Sequence, residues 1–125
     1  MSEFETGMRT RREVLGDEHV DRAIASAAAF DQPFQELITR YAWGEVWSRP
    51  GLDRRMRSAI TLTALVCLRA ENELGMHVRA ALGNGLSPEE ISEVILHTAI
   101  YAGVPAANAA FATAKAVLRE QGAID

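Results

Sequence analysis

A carboxylate and a guanidinium lie four residues apart in a segment that also carries both tryptophans of the chain. Glu45 and Arg49 flank Trp47, and Trp43 lies one turn earlier. A carboxylate can transfer a proton and a guanidinium can bind an anion. On a helix this spacing gives either a surface ion pair, worth a few tenths of a kcal/mol, or the rim of a pocket beside a helix end. The segment leaves both interpretations open.

Three further arginines, Arg54, Arg55 and Arg57, fall in the first turn of a predicted helix. The helix dipole disfavours cations at this end, so helix stability does not explain them. They form a solvated face or ion pairs between subunits, or else one or more of them binds an anionic ligand.

The remaining candidates for chemistry are histidines and a single cysteine. His77 borders the predicted buried face of its helix, and His97 shares a stripe with Tyr101. Each histidine is either a hydrogen-bonded core residue or a group at a site. Cys67 lies in an apolar segment and is predicted to be a small buried hydrophobe.

Several reaction classes lack their sequence signatures. The chain has no phosphate-binding loop, no dinucleotide glycine fingerprint and no Gly-x-Ser-x-Gly nucleophile elbow. It has no Cys-x-x-Cys, and its histidines lack paired metal-ligand spacing. Serine hydrolases, nicotinamide enzymes and zinc enzymes are therefore disfavoured, and no metal site is predicted.

Composition bounds the remaining possibilities. The chain has 125 residues, a formal net charge of -4 and 48% hydrophobic residues, which fits one domain over residues 1–125 with more apolar face than a small core needs. We therefore expect self-association, and the mild acidity argues against a nucleic-acid partner. The basic run at 9–12 is followed by Glu13 rather than an apolar stretch, so we expect no leader peptide. With no membrane-length apolar run and one cysteine, the protein is predicted to be soluble and cytoplasmic.

The elements that must position these residues all read as helices, about six or seven in number, and nothing reads as a strand. Asp17 and Asp31 are predicted N-caps, and Ser87 with Glu90 forms a predicted capping box. The helix from 31 should place Phe34, Leu37, Ile38 and Tyr41 on one face, and the helix from Asp53 is apolar nearly all round, which predicts burial on more than one side. The predicted helices span 8–15, 17–28, 31 to just before Pro50, 53–68, 71–82, 87–102 and 105 onward.

Three blocks of sequence, at 45–55, 73–85 and 89–108, together resemble the family of bacterial 4-carboxymuconolactone decarboxylases. The resemblance extends from about residue 7 to residue 118. It implies an all-α fold of the alkyl hydroperoxidase D-like type and a homo-oligomer, commonly a hexamer. The related hydroperoxidases use a Cys-x-x-Cys-x-x-x-His motif. When its histidine is placed on His77, Ala70 and Glu73 occupy the cysteine positions, which weakens the alternative of a redox enzyme. A non-catalytic oligomeric binding protein on the same fold stays open as a second alternative.

The resemblance implies cofactor-free decarboxylation of a butenolide dicarboxylate, giving 3-oxoadipate enol-lactone in the protocatechuate branch of the β-ketoadipate pathway. The ring alkene and lactone carbonyl accept the electrons, so no cofactor is expected. The protein must bind two carboxylates, stabilise charge on the lactone oxygen and protonate a ring carbon.

The roles below follow from that reaction. Arg49 and one of Arg54 or Arg55 are predicted to bind the carboxylates, because a guanidinium can bind a carboxylate through two hydrogen bonds. His77 is the predicted acid or lactone-oxygen donor, with Glu45 as its partner or as the proton donor itself. Trp47, His97 and Tyr101 are predicted further contacts of the substrate, and the last two are second choices for the acid.

Overall fold

The computed structural model describes all residues from 1 to 125, and every regular element in it is a helix. Tertiary contacts group the chain into an N-terminal unit, Met1–Leu52, and a C-terminal unit, Asp53–Asp125. The single domain expected from length stays a prediction. None of the helices combines the length and the apolar character that a membrane-spanning segment requires. The elements are α1 (Glu3–Leu15), α2 (Asp17–Ser26), α3 (Gln32–Ile38), a π-helix (Thr39–Val46), α4 (Arg54–Cys67), α5 (Glu71–Gly83), α6 (Pro88–Ala102) and α7 (Val104–Glu120).

Helix ends follow the capping residues in the sequence. Asp53 accepts a hydrogen bond from the backbone N–H of Met56 at 2.8 Å, and Ser87 with Glu90 forms the complete capping box. Several boundaries differ from prediction: α2 ends at Ser26 rather than at 28, the helix expected from 31 becomes a π-helix at Thr39, and the starts of α1 and α2 also differ. The Ser2 hydroxyl caps α1 by accepting a hydrogen bond from the backbone N–H of Glu5. As a result, α1 begins at Glu3, five residues earlier than expected. Asp17 is the first residue of α2 rather than its N-cap, which is Gly16.

In the N-terminal unit, α1 packs against the π-helix through two glycines. An ideal Cβ built on Gly7 would lie 2.9 Å from the backbone N of Gly44 and would also collide with the carbonyl group of Thr39. Only glycine permits this approach of two backbones. In the π-helix each bond spans five residues instead of four, as in the bond from Trp47 N–H to the carbonyl of Ala42 at 2.9 Å.

The apolar face predicted around residue 34 is not buried within the chain. Phe34 is 59% exposed, Leu37 50% and Tyr41 60%. Helical spacing identifies side chains that share a face, but it does not say that the same chain covers that face. These side chains therefore form part of the outer surface of the single chain.

The C-terminal unit holds the main core. Its four helices surround fully buried aliphatic side chains such as Leu62, Leu74 and Ile91. The alanine-rich helix α7 turns one face inward, where Ala106, Ala107, Ala110 and Ala114 are buried and allow close packing of α7 on α5 and α6. These small side chains therefore serve packing inside this unit.

Several large apolar side chains of the C-terminal unit remain uncovered. Ile60 on α4 is 53% exposed, Leu68 just after the end of α4 is 74% exposed, and Ile100 on α6 is 75% exposed. The expectation that α4 is buried on more than one side is therefore wrong for a single chain. Cys67, predicted to be buried, is exposed for the same reason.

Candidate active site

The end of the π-helix presents Glu45 and Arg49 on the surface of the N-terminal unit. Both side chains are exposed, and no ion pair joins them. Glu45 lies in the π-helix and Arg49 in the turn that follows, so the geometry that aligns residues four apart in an α-helix does not apply. The interpretation as a helix-surface ion pair is wrong, and both residues stay candidates for the site.

A hydrogen-bonded serine fixes the turn that carries these residues. The Ser48 hydroxyl lies 2.6 Å from the carbonyl oxygen of Trp43, to which it donates, and 2.7 Å from the hydroxyl of Thr10 on α1. Since the first bond uses the only proton of Ser48, Thr10 must donate the second. Thr10 is buried, so the turn is anchored to the interior of the unit.

The two tryptophans form one wall of this region. The ring centroids of Trp43 and Trp47 lie 5.1 Å apart with planes tilted by 33°. Trp43 is buried and Trp47 is half-buried, so the indole of Trp47 offers a partly exposed apolar surface next to Arg49. This arrangement is compatible with the predicted contact between Trp47 and a planar ring.

In the C-terminal unit, Arg54 and Arg55 are neighbours in the first turn of α4 but have different surroundings. Arg55 binds Glu90 through both carboxylate oxygens, at 3.2 Å and 2.5 Å, and also donates to the carbonyl of Gly85. The Arg55 guanidinium, with the Ser87 backbone N–H as second cause, lowers the pKa of Glu90 to about 2. Arg54 is half-buried in the same turn. Because Arg55 is committed to Glu90, a substrate carboxylate would have to compete with Glu90 at Arg55.

His77 lies in the middle of α5 and is 8% exposed. Its neighbours along the buried face, Leu74 and Val78, are fully buried, and its Nδ1 atom is shielded from solvent. An imidazole in such surroundings is kept out of bulk water, which suits a group that transfers a proton or donates to a developing oxyanion.

His97 and Tyr101 lie together on the outer face of α6. Their ring centroids are 5.6 Å apart, and Tyr101 is 77% exposed. His97 is also exposed, so the interpretation as a buried core histidine is wrong. The structure brings these two residues into one pair, on a different helix from His77.

Sequence reasoning missed a buried polar pair beside the first turn of α4. Ser58 is 1% exposed and accepts a hydrogen bond from the Asn84 side chain at 2.9 Å. The signal was present, because a serine one turn before the buried Leu62 lies on the inward face of α4. The pair fixes the turn after α5 against α4, the helix that begins with the arginines. No group of three or more His, Cys, Asp or Glu side chains is arranged to hold a metal ion.

Comparison with known proteins supplies the chemical context for this geometry. Residues 32–116 match the carboxymuconolactone decarboxylase family. A 4-carboxymuconolactone decarboxylase from Acinetobacter baylyi is 48% identical over 119 residues, which are 95% of this chain and 89% of the relative. A nitrosuccinic acid decarboxylase from Metarhizium robertsii is 49% identical over 102 residues, 82% of this chain and 71% of the relative. A 4-carboxymuconolactone decarboxylase from Pseudomonas putida is 50% identical over 42 residues, 34% of this chain and 88% of the relative.

Proposed function

The chain belongs to the carboxymuconolactone decarboxylase family, and on that premise we propose that it decarboxylates 4-carboxymuconolactone to 3-oxoadipate enol-lactone without a cofactor. The observation that carries the proposal is the 48% identity to the Acinetobacter baylyi enzyme over 95% of the chain. The step belongs to the protocatechuate branch of the β-ketoadipate pathway. Its cytoplasmic location stays a prediction.

The reaction needs no external electron acceptor. The bond between the ring carbon and its carboxylate breaks, and the electron pair moves through the ring alkene to the lactone carbonyl oxygen. A proton then adds at the carbon next to that carbonyl, which shifts the double bond. The protein has to neutralise a dianion, although its own net charge is -4. It also has to stabilise the lactone oxygen and deliver one proton.

Each role is proposed for a residue with suitable surroundings. Arg49 and Arg54 bind carboxylates, for which a guanidinium offers paired donors. His77 delivers the proton or donates to the lactone oxygen, because its imidazole is buried away from bulk water. Glu45 is an exposed carboxylate on the π-helix and is the alternative proton donor. Trp47 contributes a partly exposed ring against which the substrate can lie.

A second substrate is favoured by the relative from Metarhizium robertsii, which is 49% identical and named a nitrosuccinic acid decarboxylase. Nitrosuccinic acid is also a dicarboxylate. One carboxyl group is attached to the carbon that carries the nitro group, so the electron pair left by carbon dioxide enters the nitro group as a nitronate. The two reactions therefore make the same demands on a site: cations for two carboxylates and donors for a developing anion.

We further propose that the protein is a homo-oligomer, with a hexamer favoured by resemblance. Support comes from the outer side of the C-terminal unit, where Leu96, Ile100, Tyr101 and Val104 are all more than half exposed. Contiguous apolar side chains of this kind are typical of interfaces. Light scattering at micromolar concentration should give a mass well above the 13.7 kDa of one chain. A monomer at that mass would contradict the proposal.

Carbon dioxide release from each substrate tests the catalytic proposal. We expect turnover of 4-carboxymuconolactone, with kcat/KM exceeding that for nitrosuccinate by about tenfold or more. The reverse preference would favour the second substrate. Absence of turnover on both would leave a non-catalytic binding protein as the better interpretation.

Three variants test the residue roles. His77→Ala should lower turnover by about 10²–10⁴, the usual contribution of a general acid. Glu45→Gln removes charge and keeps shape, and should also lower turnover. Arg49→Lys should mainly raise KM, because paired hydrogen bonds are lost. Thermal melts of the same proteins separate a rate defect from a folding defect. Rates within about threefold of the parent for His77→Ala and Glu45→Gln, far below that range, would move the acid to His97 or Tyr101.

A further inference from the structure

Arg11 is a buried cation without a carboxylate partner. It lies on the inward face of α1 and is 5% exposed. Its guanidinium donates to two neutral acceptors, the Thr39 hydroxyl at 3.2 Å and the Gln35 side-chain oxygen at 3.1 Å. No carboxylate lies within ion-pair distance, although the neighbouring Arg12 is paired twice, with Asp17 and Asp21. Proteins rarely bury an ionised group unless an opposite charge is present.

The guanidinium also has unused donors. It carries five N–H bonds, of which the two hydrogen bonds to Thr39 and Gln35 use one each. The Nε atom is buried and has no acceptor. Burial, with the nearby charge of Arg12 as second cause, lowers the pKa of Arg11. A bound anion would supply both the missing charge and the missing acceptors.

A cavity of about 140 Å³ adjoins this cation within the N-terminal unit. Arg11 and both of its acceptors, Gln35 and Thr39, line it, and the rest of the lining is mostly apolar. Phe4 and Ile24 also line it and are 39% and 49% exposed, so the cavity can be reached from solvent. A volume near 150 Å³ accommodates a molecule about the size of benzene.

We propose that this cavity binds a small monocarboxylate with a short apolar chain of about four to six carbon atoms, a size set by the cavity volume. The carboxylate would accept from the unused N–H groups of Arg11, and Gln35 and Thr39 would hold the guanidinium in place. The apolar chain would contact Phe4 and Ile24. The site does not use any residue assigned to the decarboxylation, so it stands or falls independently of the proposed function.

A single carboxylate on the ligand follows from the charges around the cavity. The one cation that lines it is Arg11, and Glu36 also lines it without forming an ion pair with Arg11. A second carboxylate on the ligand would meet Glu36 or the apolar wall, and either contact is unfavourable. Glu36 itself is the chief competitor for Arg11, because a rotated side chain could pair with the guanidinium.

Thermal shift and calorimetric titration with pentanoate test the proposal, with pentanamide as the uncharged match and sodium chloride as the ionic-strength control. We expect pentanoate at millimolar concentration to raise the melting temperature by several degrees, as binding to the folded state alone requires. Pentanamide and sodium chloride should have no such effect. Arg11→Met should weaken pentanoate binding at least about tenfold, the loss expected for a charge-assisted pair. Arg9→Met changes an exposed arginine on the same helix and should leave binding unchanged.

Two further variants make each outcome decisive. Ala27 lines the cavity, so Ala27→Leu fills it and keeps Arg11; it should abolish the response to pentanoate, and it decides the question if Arg11→Met does not fold. Glu36→Gln should preserve binding. The proposal is overturned if the parent does not respond to pentanoate, or if Arg11→Met or Ala27→Leu binds as well as the parent. It is also overturned if Glu36→Gln and Arg11→Met lower the melting temperature equally, because Glu36 would then be the partner in solution.

Discussion

The contact between Gly7 and Gly44 makes one substitution unusually informative. In Gly7→Ala the added methyl group would lie 2.9 Å from the backbone N of Gly44 and would overlap the carbonyl group of Thr39. Both contacts are with backbone atoms of the π-helix. They cannot rotate away as a side chain can, so α1 and the π-helix would have to separate.

The expected magnitude follows from two opposing terms. Replacing glycine by alanine inside a helix favours the folded state by about 0.5–1 kcal/mol. Overpacking usually costs about 1–3 kcal/mol and more where the surroundings cannot move. We expect a net loss of about 3 kcal/mol, which is large for a single substitution. With about 2.1 cal/mol/K of unfolding entropy per residue and 125 residues, this loss lowers the melting temperature by about 11 °C.

Chemical and thermal denaturation of Gly7→Ala and Gly83→Ala provide the measurement. Gly83 is the last residue of α5, and a Cβ there would meet nothing within 4 Å. Gly83→Ala should therefore leave stability unchanged or raise it by up to about 1 kcal/mol. If Gly7→Ala remained within about 0.5 kcal/mol of the parent, the range of an ordinary surface change, the close approach of α1 and the π-helix would not exist in solution.

Three other predictions concern charge, thiol and cofactor. The pKa of Glu90 is lowered from 4.5 to about 2 by Arg55, so its contribution to stability is complete above the unfolded pKa and is lost as the pH falls through that interval; melting temperatures should fall less steeply over this range in Glu90→Gln than in the parent. Cys67 is exposed in the single chain and fills no part of its core, so Cys67→Ala should change stability by less than about 0.5 kcal/mol and preserve turnover. Treatment with a chelator should leave carbon dioxide release unchanged, and a loss of activity that added metal restores would contradict the electron-sink argument.

The helix pattern of the fold could be predicted because its signals are local. Ser87 and Glu90 form a capping box in any context where the chain turns into a helix, and Asp53 caps α4 in the same way. The interiors of α4, α5 and α6 carry enough aliphatic residues to place them around one core. Neither inference needs knowledge of a distant residue. The family resemblance was likewise confirmed by the match over residues 32–116.

Features that depend on distant contacts could not be predicted. The π-helix occurs where α1 packs against residues 39–46 through Gly7 and Gly44. The spacing of Glu45 and Arg49 in the sequence does not indicate a π-helix. Exposure of Cys67 has a similar origin, because an apolar helix does not reveal whether its second side is covered by the same chain.

The sequence contains a periodic signal for the burial of Arg11, but the adjacent arginines make this signal hard to recognise. Gly7, Thr10, Arg11 and Val14 follow the helical spacing of a buried face, and all four are buried. The basic run at 9–12 instead suggests a solvated, charged surface, which is the opposite of a buried face. Arg9 points to solvent, and Arg12 binds two aspartates. Helical position rather than residue type therefore separates the arginine at the cavity from the two beside it.

The same reasoning applies to Arg54 and Arg55, which the sequence offers as equals for binding a substrate carboxylate. Adjacent residues on a helix point about 100° apart, since a turn holds 3.6 residues, so only one can face the turn between α5 and α6. Arg55 does so, and Glu90 thereby serves two purposes: it completes the capping box of α6 and holds α4 to that turn through Arg55. A substrate carboxylate on Arg55 would have to displace this internal carboxylate and release the turn. We therefore expect Arg55 to act as a structural residue that holds the turn, which leaves Arg54 as the one of the two that we propose for carboxylate binding.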